Sequence, residues 1–277
     1  MLDSLSSAVS GLDAFQQEMD IIGNNIANIN TSGYKDATAD LGTSFSNTLQ
    51  AATAATSTTG GTNPEQIGTG VATIAIENNW STGTINQTGN SNDLAINGNG
   101  FFVVQDSQTS QQYVTQAGNF SINNQGQLIT QNGMLVMGTN AGGTAGPIVV
   151  STVNSASTSP MTGYTVSANG DVTVTQADGT ISQSGQVLLQ SFEDPQQLTS
   201  VGDNLYSWTT SAGPLAAAAV PGASGTGLIV SGALELSNVD LSSEMANLIT
   251  AQRAFEANSK IVTTSDELLQ DVVNMKH

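Results

Sequence analysis

Both ends of this 277-residue chain carry an apolar stripe with helical spacing, and neither stripe can remain in water. Near the amino terminus, Leu2, Leu5, Val9, Leu12, Phe15, Met19, Ile22, Ile26 and Ile29 recur three or four residues apart. That spacing predicts one helix face, with Asp13, Gln16, Gln17 and Asp20 largely off it. The turn formers Asn30-Thr31-Ser32-Gly33 predict its end. Over the last forty residues a second helix is predicted. Asn238 or Asp240 can cap it, and Glu244 suits its positive first turn. One seam runs Leu241, Met245, Leu248, Phe255, Val262, Leu269 and Val273; another begins later with Ile261, Leu268, Val272 and Met275. The helices can pair with each other as an antiparallel hairpin. The doubled carboxy-terminal face points to additional partners from other subunits.

Between the helices the composition changes. Residues 43–63 are small and polar, and read as a long extended or flexible segment. From about position 67 the pattern turns to β: VATIAIE is followed by short apolar runs at 94–96, 101–104, 113–114, 120–122, 128–129 and 134–137. Asn-Gly pairs at 97–98, 99–100, 132–133 and 169–170, with Asp178-Gly179, mark tight turns. Phe120, Ile122, Gly126 and Leu128 share their offsets with Tyr164, Val166, Gly170 and Val172, which predicts two similar hairpins and no solenoid repeat. Residues 138–163 and 211–227 read as Gly/Ser/Thr- and Ala/Gly-rich connections.

Charge excludes several functions. The net charge is −18, and from Asp36 to Gln252 there is no Lys or Arg. Nucleic-acid binding, a P-loop and attraction to an anionic membrane all need cations that the body of the chain lacks. No segment approaches a membrane span, so no membrane insertion is expected. With no Cys, and His277 the sole His, thiolate, His-based and paired-His metal chemistry drop out. The acidic neighbours Glu193-Asp194 and Asp266-Glu267 are poorly placed for acid–base work, since adjacent side chains rarely face one another. No catalytic residue, cofactor or metal site is expected. Trp80 and Trp208 read as packing residues.

Polar residues on the helices are more informative. Asn24, Asn25 and Asn28 are poor helix formers within five residues. They mark either a fraying helix end or hydrogen bonds between packed helices, with Gln252, Asn258 and nearby Arg253 as possible counterparts.

These residues resemble the bacterial flagellar rod and hook proteins. The amino-terminal signature is Ile22-Gly23-Asn24-Asn25-Ile26-Ala27-Asn28, then Asn30-Thr31-Ser32-Gly33-Tyr34-Lys35. The central motif is Asp93-Leu94-Ala95-Ile96, Gly98 and Gly100-Phe101-Phe102, followed by Gly118-Asn119-Phe120 and Gly133-Met134. Gly202-Asp203-Asn204-Leu205-Tyr206, the run from Ser231 to Leu241, Ala251-Gln252-Arg253-Ala254-Phe255 and Asn258-Ser259-Lys260 complete it.

The resemblance implies an α+β axial subunit without a large extra outer domain. Residues 1–32 would supply the amino-terminal helix of a coiled-coil inner domain, and 33–75 an extended arm linking the layers. Residues 76–227 would form the β-rich outer domain, and 228–277 an arm and the carboxy-terminal inner helix. Subunits would meet through Leu5, Leu12, Met19, Ile22 and Ile26, with Asn24, Asn25 and Asn28, on the first helix. On the second, Leu241, Met245, Leu248, Phe255, Val262 and Leu269 would act with Gln252, Arg253 and Lys260. The partners implied are further copies of the chain in a helical tube, adjacent axial proteins, the assembly cap and the flagellar type III export apparatus, with export needing no cleaved signal. Ile22-Gly23-Asn24-Asn25-Ile26 and the run Ile261 to Gln270 resemble short hook proteins, which favours a hook subunit outside the cell. The domain plan and the 43–66 segment keep a distal rod subunit in the periplasm as the alternative. A secreted β-rich enzyme or adhesin is a more distant third. Lys35, Arg253, Lys260 and Lys276 are expected where subunits meet, opposite acids such as Asp13, Glu18 and Asp20, leaving a purely acidic β body.

Overall fold

The structure is a computed structural model that describes residues 2–54, 60–140, 142–150, 161–209, 212–213, 218–223 and 225–275. Lys276, His277 and parts of the three low-complexity connections lie outside the described residues. The fold is α+β, with a helix near each end and strands between. It divides into two units.

The first unit holds helix α1 (Leu2–Ala27), strands β1 (Ala37–Thr43), β2 (Ser46–Gln50), β3 (Glu65–Gly68) and β4 (Val71–Asn78), and helix α2 (Leu241–Asn274). Asp240 caps α2, its carboxylate accepting from the Ser242 N–H. β1 runs antiparallel to β4, from Ala37 opposite Asn78 to Thr43 opposite Val71, with a shift at Asp40/Leu41. The Val71 N–H donates to Ser10 Oγ at 3.3 Å, which ties this ribbon to α1.

The small polar stretch expected to be extended or flexible is extended, and most of its described residues are paired. β2 and β3 form a ladder, and Thr53 and Thr62 bridge beyond it. The reason lies in cross-strand side chains: the Thr53 and Thr62 hydroxyls meet at 2.7 Å, and Gln66 Nε2 donates to Thr48 Oγ1 at 3.1 Å. Every residue of β2 and β3 is exposed. Residues 55–59 lie outside the description.

The second unit contains residues 28–36 and 80–238. Its main antiparallel sheet runs in the order β13 (Met161–Val166), β14 (Asp171–Gln176), β15 (Ile181–Val187), β11 (Leu135–Asn140), β7 (Phe101–Gln105), β8 (Gln112–Thr115), β18 (Leu205–Ser207) and β17 (Thr199–Gly202). β9 (Phe120–Ile122) and β10 (Leu128–Thr130) form a hairpin attached to β11, which also pairs β12 (Ala145–Pro147). β16 (Leu189–Gln190) joins β7. Two small ladders pair β6 (Leu94–Asn97) with β19 (Leu228–Ser231) and β5 (Ile85–Gln87) with β20 (Ala233–Glu235). The matched offsets at 120–128 and 164–172 do fall on two hairpins.

The run Phe101-Phe102-Val103-Val104 is apolar throughout because β7 is buried on both faces. Phe102 and Val104 enter one core with Phe120, Leu128 and Val136. Phe101 and Val103 enter another with Val114, Leu198 and Tyr206. There Trp80 stacks edge-on against Phe101 and Tyr206 at 5.2 and 5.0 Å, and Trp208 packs near Phe192. The turn from β17 to β18 places Asp203 and Asn204 at φ of 53° and 56°, the left-handed pair of a type I′ hairpin. The Asn204 side chain then donates to the Ser32 carbonyl at 2.9 Å.

Lys35 departs from its expected place. It is not at a helix surface but buried within the second unit, so that body is not purely acidic. Its Nζ lies 2.7 Å from Glu235 Oε1 on β20 and donates to the Ser81 carbonyl at 2.8 Å. Glu235 Oε1 also accepts the Gly83 N–H at 2.7 Å, and the Glu235 carbonyl accepts the Gly33 N–H at 3.0 Å. Gly33 sits at φ +70°, and an added Cβ would come within 2.7 Å of the Ala117 nitrogen, so glycine alone fits this close approach. A chain so poor in cations hides one because an enclosed, hydrogen-bonded pair fixes residues 33–36 against β20.

Removing one member leaves the other charge buried and unpaired. Lys35→Met should therefore destabilise the second unit by about 3–5 kcal/mol, and Lys35→Met with Glu235→Leu should recover most of it. Urea unfolding followed by Trp fluorescence measures both; equal losses in the single and double variants would contradict the pairing.

Candidate subunit interface

Helices α1 and α2 pack against each other in antiparallel order. An added Cβ at Gly11 would stand 2.5 Å from Asn258 Nδ2, and Asn25 Nδ2 donates to Glu244 Oε2 at 3.1 Å. As the position on α1 rises from 11 to 25, its partner on α2 falls from 258 to 244, a constant register. The residues at this contact are small or polar. Ala8, Gly11 and Ala14 are buried on α1. On α2, Glu244, Ala251 and Ser265 are buried, with half-buried Asn258 between them, all at seven-residue steps. Short side chains let two helix axes approach closely, and a bulky side chain at Gly11 would force them apart.

Asn25 is 1% exposed and resolves the choice between fraying and helix–helix bonding. Its Nδ2 also donates to the Ala37 carbonyl at 2.8 Å, while its Oδ1 accepts the Ala37 N–H at 3.1 Å. One amide thus joins α1, the first turn of α2 and the start of β1. Asn24 is exposed and Asn28 half-buried, so the three are not equivalent. Of the suggested counterparts, Asn258 faces Gly11, whereas Gln252 and Arg253 are exposed.

Small residues occupy most of the contact, so apart from Ile22, which shares the buried α1 stripe, the large apolar ones lie on its flanks. On α1, Ile22 is buried, and Leu5, Leu12, Phe15, Met19 and Ile26 are half-buried. On α2, Leu248, Phe255, Val262 and Leu269 are half-buried. Leu241 and Met245 are exposed, as are Ile249, Ile261, Leu268, Val272, Val273 and Met275. By the constant register, Leu2 lies level with position 267, so residues 268–274 of α2 extend beyond α1. Each large aliphatic side chain left in water forgoes roughly 1.5–3 kcal/mol that burial would supply. A single chain therefore presents two helices whose mutual contact is satisfied and whose apolar flanks are not.

Sequence reading had placed the large residues and passed over the small seam. A scan for Ala, Gly, Ser and Asn at seven-residue steps would have found positions 251, 258 and 265 as one helix face, which Glu244 extends by one more step. Ile249, four residues from Met245, was likewise missed.

The charges divide by face. Glu18 lies four residues from Ala14 and seven from Asn25, which puts it on the buried stripe, half-buried, and not open to a neighbouring subunit's cation as expected. Partial burial raises its pKa above the usual carboxylate value. Asp13, Asp20, Arg253 and Lys260 are exposed.

Residues 5–35 match the family described as flagella basal body rod protein. Residues 95–174 match the flagellar hook protein FlgE/F/G D1 domain, and 230–275 the flagellar basal body rod FlgEFG protein C-terminal family. The chain is 40% identical over 276 residues to the flagellar basal-body rod protein FlgG of Bacillus subtilis, covering 100% of each. It is 36% identical to the FlgG of Caulobacter vibrioides, covering 97% of each. The flagellar hook protein FlgE of Borreliella burgdorferi is 23% identical over a 445-position alignment covering both chains. The rod alternative is thus better supported than the hook reading favoured by short sequence motifs.

The raised pKa of Glu18 has a signed consequence. Folding favours its protonated form, so the stabilisation is full below the ordinary carboxylate pKa and lost as pH rises through the folded value. Glu18→Gln should therefore raise the melting temperature of the helix pair at pH 7 and leave it unchanged near pH 3. Thermal scans by far-ultraviolet circular dichroism at the two values measure this; an equal shift at both would contradict it.

Proposed function

Given that this chain belongs to the flagellar rod and hook protein family, we propose that it is a structural subunit of the distal rod. In this reading the chain is not an enzyme. Copies polymerise into a helical tube that encloses the export channel and carries motor torque. The rod reading draws its support from full-length relatives that bear the rod name, and the polymer reading from the paired terminal helices. Those helices satisfy each other through a narrow small-residue seam and leave a double row of Leu, Ile, Val and Met for neighbours.

The proposed partners are further copies of the chain, adjacent axial proteins, the assembly cap and the type III export apparatus. Rigidity in such a shaft comes from contacts that cannot slide. The β2–β3 ribbon offers one: Phe45, Leu49 and Ile67 are exposed on an element whose stretch from Leu41 to Pro64 carries no charge. A ribbon with apolar edges, whose one charge is Glu65, can touch a second acidic copy with little charge repulsion.

Immunolabelling of intact flagella tests the location. Label confined within the cell envelope is expected for a rod, and label on the exposed hook would overturn the rod reading. Assembly tests the seam: Leu248→Asp should block incorporation while leaving the second unit folded, because a charge then sits where an apolar flank must be covered. Normal incorporation of that variant would refute the assignment.

A further inference from the structure

The α1–α2 hairpin carries two opposite charged ridges on its outer sides. At about 100° per residue, Asp13 and Asp20 point away from the α1 stripe that holds Gly11 and Asn25. By the same count Arg253 and Lys260 point away from the α2 stripe that holds Ala251 and Asn258. All four are exposed, and neither Arg253 nor Lys260 makes an ion pair among the described residues. Each ridge has a seven-residue spacing, about 10 Å along the helix.

Register then gives the heights. Gly11 lies level with Asn258 and Asn25 with Glu244, so Lys260 stands level with position 9 of α1 and Arg253 with position 16. Asp13 stands four residues above the first, and Asp20 four above the second. One displacement therefore aligns both pairs.

We propose that these ridges are the two halves of a single contact between copies of this chain, a refinement that rests on the axial-subunit reading above. The outer face of α2 in one copy lies along the outer face of α1 in the next, the two helices antiparallel and the copies themselves parallel and shifted by about 6 Å. Lys260 then meets Asp13 of the next copy, and Arg253 meets its Asp20. A displacement of three residues in the other direction would align Arg253 with Asp13 but leave Lys260 opposite Ser6. The two-pair register is thus distinguished from its neighbours. The occupant is a second copy because the complementary ridge belongs to the same chain, in which Asp36 to Gln252 supplies no other cation. The contact joins unlike faces, so it propagates from copy to copy and does not close a pair. Exposed ion pairs contribute little affinity; their role here is to set the axial step, while the flanking apolar residues supply the adhesion.

Charge exchange in the full-length chain, made in flagellated cells in place of the native subunit, tests this. Arg253→Asp and Asp20→Arg should each lower incorporation into isolated basal structures at least tenfold, and the double variant should restore it to within about twofold. Circular dichroism of the purified chains checks that the helices persist. A second readout uses the absence of native cysteine. A short bis-maleimide should link Asp20→Cys/Arg253→Cys chains, and Asp13→Cys/Lys260→Cys chains, into ladders, and leave Asp13→Cys/Arg253→Cys monomeric. Single reversals without effect, a double reversal that fails to restore, or equal linking of the mismatched pair would overturn the register while leaving the axial reading intact. Absence of the wild-type chain from the isolated structures would overturn both.

Discussion

The small-residue seam between the terminal helices sets what the first unit can do. Gly11 against Asn258, with Ala8, Ala14, Ala251 and Ser265 around it, allows an approach that larger side chains would prevent. Such a seam buries little apolar area by itself. Its consequence is geometric: the bulky residues of both helices are displaced to the sides, where a neighbour can reach them. A hairpin packed through Leu and Phe would have been more stable alone and less adhesive.

Buried polar groups then fix positions that apolar packing leaves free. Asn25 binds both backbone groups of Ala37 and the Glu244 carboxylate, which holds α1, α2 and β1 in one arrangement. In the second unit, Lys35 and Glu235 do the same for residues 33–36 and β20. Both clusters join amino-terminal residues to residues about two hundred positions later. A buried amide or ion pair without its partner is costly, so each cluster penalises any other pairing. The alternation within Phe101–Val104 serves the β sheet in the same way, since a one-residue slip would exchange its two cores.

Much of this was legible beforehand. Helical spacing of Leu, Ile and Val located both helices, Asp240 was one of two caps foreseen, and the pairs at 132–133, 169–170 and 178–179 marked real turns, whereas 97–98 and 99–100 lie in a bend between β6 and β7, which do not pair. These features are local, and local rules govern them. The segment 43–63 reads as extended or flexible because its small polar residues offer little for a compact core. Its pairing depends on Thr and Gln side chains meeting across strands, which no local window displays. Lys35 was expected at a subunit contact because it follows the amino-terminal helix, and its partner Glu235 lies two hundred residues away. Glu18 was expected opposite a cation of a neighbouring subunit; its half-buried place on the α1 stripe follows from the register with α2.

The sequence by itself determined the class of chain: two amphipathic ends, a long run from Asp36 to Gln252 without a cation, and an order of motifs shared with flagellar axial proteins. Those follow from periodicity, charge and residue order, all carried by neighbours along the chain. Only the tertiary structure decided which helix face turns inward, which cation is hidden and at what heights the exposed charges stand. Register between distant segments settles these, and register is a sum of close contacts that exist only once the helices have met.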